Sequence, residues 1–301
     1  MSAAVGGQAV VEGVMMRTPS AWAVAVRRPD GRISTVVEDA RSVGLRSPVL
    51  RWPVVRGVVA LGESLVIGMK ALSLAARLST TDHEGEGEGE AELGRREIAI
   101  ALVVAVVFSI VFFKVVPGVV ASLLPVDGTF LFVLLEGLIR VGLFIGYLLF
   151  LTLLPDLRRV FEYHAAEHMA INALEAGAPR TAAAAAAHSR IHLRCGTAFL
   201  LWVMVIAIIV FAFVGRPALP WLITTRIVLV PVIAGIAYEV IRFAAGHMDK
   251  RWVRTLMLPG LTLQRLTTRE PSAEQLEVAI AALRAVFTAE QSAEVDARRA
   301  A

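Results

Sequence analysis

Four long apolar runs, at about 98–116, 130–153, 198–214 and 226–245, constrain this chain more than any other feature. About 20 consecutive apolar residues in a helix suffice to cross the hydrocarbon core of a bilayer. The expectation is a mostly α polytopic membrane protein with about four transmembrane helices. Composition agrees, with 56% of the 301 residues hydrophobic and only 19% charged. The basic residues sort by side. Arg95 and Arg96 precede the first run, Arg158 and Arg159 follow the second, Arg190 and Arg194 precede the third, and Arg242, Lys250, Arg251 and Arg254 end or follow the fourth. Lys114, Arg216 and Arg226 fall on the other side. The positive-inside preference then puts both termini and the 154–197 loop in the cytoplasm of a cell-membrane protein. A net charge of +4 could suggest nucleic acid in a soluble protein. Here the basic residues flank apolar runs, so the expected partner is the lipid bilayer and not nucleic acid.

The remaining segments divide the chain further. Residues 1–50 lack the basic and continuously apolar regions of a signal peptide and are expected to stay in the cytoplasm. Between residues 8 and 38, Val- and Ile-rich stretches punctuated by TPS and PDG predict a small antiparallel β region, too small to stand without packing on something else. Gly6, Gly7 and Gly13 mark bulges or close approaches. Residues 51–80 form an amphipathic or interfacial helix: Arg56, Glu63, Lys70 and Arg77 recur every seven residues in an otherwise apolar segment, which either lies in the interface or packs on the bundle. Charges at Glu63 and Lys70 weigh against a true span. Residues 81–95, with alternating Gly and Glu, read as a flexible acidic linker. Transmembrane helices 1 and 2 take up 96–154, and helices 3 and 4 take up 198–247. Within the second, Glu136 and Arg140 stand four apart and read as a self-neutralising pair near the outer leaflet, the sharper alternative being an intramembrane functional pair. The C-terminal region, 248–301, carries a helix with Ser272 and Gln275 as its capping signature and Leu276, Ile280, Leu283 and Phe287 as an apolar face that docks on the soluble part.

The loop at 155–197 holds four of the six histidines and the only cysteine. It reads as a cytoplasmic helical hairpin, broken at Gly177 to Pro179. His164 and His168 share one helical face, and His188, His192 and Cys195 repeat the spacing on the second helix. Folded about residue 178, the two pairs lie at matching heights. Imidazole and thiolate donors in such an arrangement favour a divalent metal, zinc first, with iron, cobalt or manganese as alternatives. A purely structural hydrogen-bonding cluster is the competing reading. The segment HAAEH also matches the HxxEH pattern, in which the glutamate, here Glu167, acts as general base. His188, His192 and Cys195 are candidates for the remaining ligands, with Glu162, Glu175 and Glu239 behind them. A lone cysteine forms no intrachain disulfide, so Cys195 is a free thiol or a ligand.

The runs GGQAVVEGVMMR (6–17), FEYHAAEHMAINALEAG (161–177), HSRIHLRCGTAFL (188–200) and LQRLTTREPSAEQLEVAIAAL (263–283) resemble the DUF1385 family of YqhQ-like bacterial membrane proteins over nearly the whole chain. Ala165 and Met169 stand where the family pattern EYHGAEHK has a small residue and a lysine. The resemblance, through the family's label of predicted metal-dependent enzyme, implies a metal site and enzymatic activity without naming a substrate. Three functions are then open. One is a metal-dependent hydrolase using His164, His168 and two of His188, His192 and Cys195 with Glu167, acting on lipid-linked or membrane-protein substrates. The second is a scaffold whose metal staples the loop. The third, ion transport, lacks polar residues along the spans beyond Glu136, Arg140 and Glu239.

Overall fold

The computed structural model describes residues 5–40, 42, 44, 47–80, 95–215 and 219–300. The acidic linker at Asp82–Glu92 and Arg216 lie outside them. The chain opens with an antiparallel meander, β1 (Gly6–Val10), β2 (Gly13–Arg17), β3 (Ala21–Arg27) and β4 (Ile33–Asp39), paired in sequence order. Side chains alternate across the pleat. Val14, Met16, Ala23 and Ala25 therefore face one core, while Met15, Trp22, Val24 and Val26 face another. Covering both faces explains why the strand AWAVAVR is apolar at nearly every position.

One cover is α1 (Val55–Thr80), whose Ala71 and Ala75 are fully buried against the sheet. Farther toward its N-terminus, α1 crosses α8 (Leu219–Ala245) at Gly57 and Gly235, where a Cβ on Gly57 would sit 3.0 Å from the Gly235 backbone. Two members of the charge stripe serve these contacts. Arg56 grips Glu239 through two bonds of 2.7 and 2.5 Å, and Glu63 accepts from Arg17 at 3.3 Å and Ser42 at 2.9 Å. Leu65, Val66 and Met69 remain exposed.

The other cover combines α5 (Pro155–Glu175) with α10 (Ala273–Ala300). Leu276, Ile280 and Leu283 are buried there with Phe287 beside them. The helix starts with a reciprocal capping box: the Ser272 amide donates to Gln275 Oε1 at 2.8 Å, and the Gln275 amide donates to Ser272 Oγ at 3.2 Å.

The four apolar runs all form helices: α2 (Arg95–Ile110) continuing through a π-turn at Val111–Val115 into α3 (Val116–Ser122), then α4 (Thr129–Leu151), α7 (Gly196–Val214) and α8. The protein is a multi-pass membrane protein. Among the described residues, five helices are long and apolar enough to cross a bilayer, the fifth being α1.

Two features differ from the expectation. The 155–197 segment is not a hairpin of two long helices. After α5 ends at Glu175 and the chain turns at Gly177 (φ 71°), only the short α6 (Ala182–Ala186) forms, and 189–193 runs without helix. Side chains supply the hydrogen bonds that a helix would have made. Asn172 donates to the Ser189 and Ile191 carbonyls at 2.6 and 3.0 Å, and Gln264 bonds both the amide and the carbonyl of His192. The second feature is an additional amphipathic helix, α9 (Arg251–Thr267), which supplies Gln264 and packs Gly260 on Ala198 of α7.

Candidate metal centre

His164 and His168 project from one face of α5, their ring centres 4.4 Å apart. Each ring is held by its Nδ1, which lies 2.8 Å from the Thr267 carbonyl for His164 and 2.7 Å from the Arg190 carbonyl for His168. A carbonyl only accepts, so both Nδ1 atoms carry a proton, and in the neutral rings both Nε2 atoms present a lone pair. This is the arrangement that outer-shell carbonyls impose on metal-ligating histidines.

Cys195 arrives from another part of the chain, at the position preceding the first turn of α7. Its sulfur lies 3.4 Å from His164 Nε2 and 3.0 Å from Thr197 Oγ1. One donor atom from each of His164, His168 and Cys195 falls within 4.8 Å of the others. Tetrahedral zinc, with bonds of 2.0–2.3 Å, sets its ligand atoms roughly 3.3–3.8 Å apart, so the sulfur–nitrogen separation already suits a shared ion. The donor set, two imidazole nitrogens and a thiol, fits zinc. His168 and Cys195 are buried, and His164 is half-buried. Burial holds the His168 pKa below its ordinary value, with hydrogen bonding to Cys195 opposing the shift.

Glu167 is 5% exposed, its Oε2 3.6 Å from His168 Nε2. Its carboxyl end is pressed against β1: a Cβ at Gly7 would lie 2.6 Å from Glu167 Cγ and Oε1. Gly7 is therefore one of the close approaches expected among the N-terminal glycines, and Gly13, against the Ala25 carbonyl, is another. Burial raises the Glu167 pKa, and His164, His192 and Arg194 pull the other way.

The other two histidines stand outside the triad. His192 is buried with its ring centre 5.8 Å from that of His168, and its Nε2 is 3.4 Å from Glu175 Oε2. Arg194 bonds the other oxygen of Glu175. His188 turns its Nδ1 to the Ala184 carbonyl at 2.9 Å and lines a surface cavity with Arg190, Arg265 and Glu270. Glu162 is taken by Arg158 and Gln275, and Glu239 on α8 by Arg56 of α1. Sequence reasoning missed Gln264, Thr267 and Asn172, which orient the site. Thr267 acts through a backbone carbonyl, to which residue type gives no clue.

A family model described as "Protein of unknown function (DUF1385)" matches residues 52–289. The chain belongs to the DUF1385 family. A relative within reach is "Uncharacterized protein YqhQ" of Bacillus subtilis (strain 168), 34% identical over 286 residues that cover 92% of this chain and 90% of the relative. No solved structure matches. The triad, Glu167 and the residues that orient them all fall inside the segment matched by the DUF1385 model.

Proposed function

We propose that this DUF1385 protein is a membrane-anchored metal-dependent hydrolase whose site faces the cytoplasm. Its ligands are His164, His168 and Cys195, and its metal is divalent, zinc first. The observation that carries the reading is the pair of Nδ1-to-carbonyl bonds, which leaves two Nε2 lone pairs beside a buried thiol. Three converging donors are one fewer than closed structural zinc sites have, which leaves a position for substrate. A divalent metal there supplies Lewis acidity. Glu167, the nearest carboxylate, takes a proton from the attacking water on its Oε atoms and returns it to the leaving group. The excess of basic residues beside the α4–α5 junction supports an anionic, lipid-linked substrate. A cavity of about 350 Å³ there is lined by Arg158, Arg190, Arg265 and Arg269 with Glu162 and Glu270.

The basic flanks of the spans support an orientation with both termini in the cytoplasm. In this arrangement four helices span, and α1 lies along the interface with Leu65 and Val66 toward lipid. A second reading, a structural staple in a scaffold, has its own support: the triad ties α5 to α7, and the His164 ring reaches α9 through Thr267.

Metal content of the purified protein decides whether the site exists. The wild type should carry about one equivalent, and His164→Ala, His168→Ala and Cys195→Ala should each lose it. Unchanged content in all three sinks the assignment. Glu167→Gln in a complementation assay then separates the readings: loss of function with metal retained supports hydrolysis, and full function supports the staple.

A further inference from the structure

A second polar cluster lies inside the helix bundle, at the end remote from the histidines. Lys114 comes from the π-turn, Glu136 and Arg140 from α4, and Arg226 from the first turns of α8. Lys114 Nζ is 3.4 Å from Glu136 Oε1, and Arg140 bonds the same oxygen. Arg140 Nε also donates to the Phe113 carbonyl at 2.8 Å. In a regular helix that carbonyl would receive the amide of residue 117, but residue 117 is proline and has no N–H to give. Arg226 stacks on Phe211, its guanidinium carbon 3.4 Å from the ring centre, and Lys114 Nζ lies 5.9 Å from the same ring. Nε and Nη1 of Arg226 are buried without a hydrogen-bond partner.

Glu136 and Arg140 form the ion pair expected from their spacing, but Lys114 also bonds Glu136 and Arg226 sits beside them over Phe211, so three cations share one carboxylate. Two of the cations are guanidiniums, which stay charged at any cellular pH, so at least one positive charge is in excess whatever the state of Lys114. Excess charge at membrane depth is costly unless a counter-charge meets it, and stacking on Phe211 offsets only part of that cost.

We propose that this cluster is a phosphate-binding site, filled by the headgroup phosphate of an anionic lipid in the leaflet opposite the histidine site. Arg226 offers two unused donors, and Lys114, with its side chain 39% exposed, is open to approach from the bilayer. Guanidinium and ammonium groups together suit phosphate oxygens. Glu136 lies seven residues into α4, roughly 10 Å along the helix axis, a depth from which long basic side chains reach the headgroup layer. Val115, Phe130 and Ile227 are exposed on the same elements, where acyl chains would lie. The site is independent of the metal centre.

Native mass spectrometry of the full-length protein in mild detergent tests the proposal with three probes: phosphatidylglycerol, phosphatidylcholine and inorganic phosphate. The wild type should retain phosphatidylglycerol over phosphatidylcholine. Arg226→Gln and Lys114→Gln should each lower retention about five-fold, the worth of one basic residue near an anionic lipid. Glu136→Gln removes the competing carboxylate and should raise it. A folding defect lowers retention in every variant, so the opposite sign for Glu136→Gln separates charge from damage. Retention of inorganic phosphate with the same variant pattern supports the anion site and assigns its source to solution. Phosphatidylglycerol retention that is equal in wild type and both cation variants, or that falls in Glu136→Gln, overturns the proposal.

Discussion

His164 Nε2 and Cys195 Sγ lie 3.4 Å apart although 31 residues separate them in the chain. Helical spacing does not bring them together. The Nδ1 bond to the Thr267 carbonyl fixes the His164 ring, and the extended backbone at Cys195, just ahead of α7, delivers the thiol. A cobalt-substituted protein should therefore show a sulfur-to-metal charge-transfer band in the near ultraviolet, which Cys195→Ser abolishes. Persistence of the band in that variant removes Cys195 from the ligand set.

Gly7 and Glu167 share one space. Gly7→Ala should destabilise the fold by about 1–3 kcal/mol through overpacking, measured by thermal unfolding in detergent. Combined with Glu167→Ala, the same substitution should cost measurably less, because the atoms 2.6 Å from the new methyl are gone. Additive costs would show that the two residues do not meet.

Gln264 replaces helical hydrogen bonding at His192 from both sides, at 2.9 and 2.8 Å, and is fully buried. Gln264→Leu should cost about 1–3 kcal/mol for each backbone group left unsatisfied. It should also loosen the segment that carries the Arg190 carbonyl, and amide exchange across 189–193 should quicken. Unaltered exchange there would mean that the segment holds its shape without Gln264.

Glu175 contributes a pH dependence outside the membrane. Its hydrogen bond with His192 holds its pKa below the ordinary value of 4.5; burial, the next-largest effect, opposes this, and the charge of Arg194 adds to the lowering. For a carboxyl depressed on folding, the unfolded chain binds more protons at acid pH. The stabilisation is therefore complete above pH 4.5 and is lost as pH falls through the folded value. The Tm difference between wild type and Glu175→Gln should be level at neutral pH and shrink below that point. With the Glu175 side chain 44% exposed, the effect should stay below about 1 kcal/mol. A difference that grows on acidification contradicts the assigned direction.

The site was partly legible. His164 and His168 were readable because i and i+4 share a helical face wherever the helix lies. The mirrored pairing with His188 and His192 assumed a second long helix through the alanine run. That helix stops at Ala186, and 189–193 takes its hydrogen bonds from Asn172 and Gln264. A side chain from α9, 72 residues downstream, leaves no local periodicity to read. Glu136 and Arg140 were legible as an i, i+4 ion pair, whereas Lys114 reaches Glu136, and Arg226 the neighbouring Phe211 ring, only through helix packing.

By itself the sequence determined that the chain enters a membrane, that a small sheet precedes the bundle, and that α10 starts at a capping box. Apolar run length, period-two alternation and capping are local properties of consecutive residues. The tertiary structure alone decided that three of five candidate ligands converge, that Gly7 makes room for Glu167, and that Lys114 joins Arg140 on Glu136 with Arg226 close by over Phe211. Each depends on which distant backbone groups and side chains satisfy one another once water has been excluded.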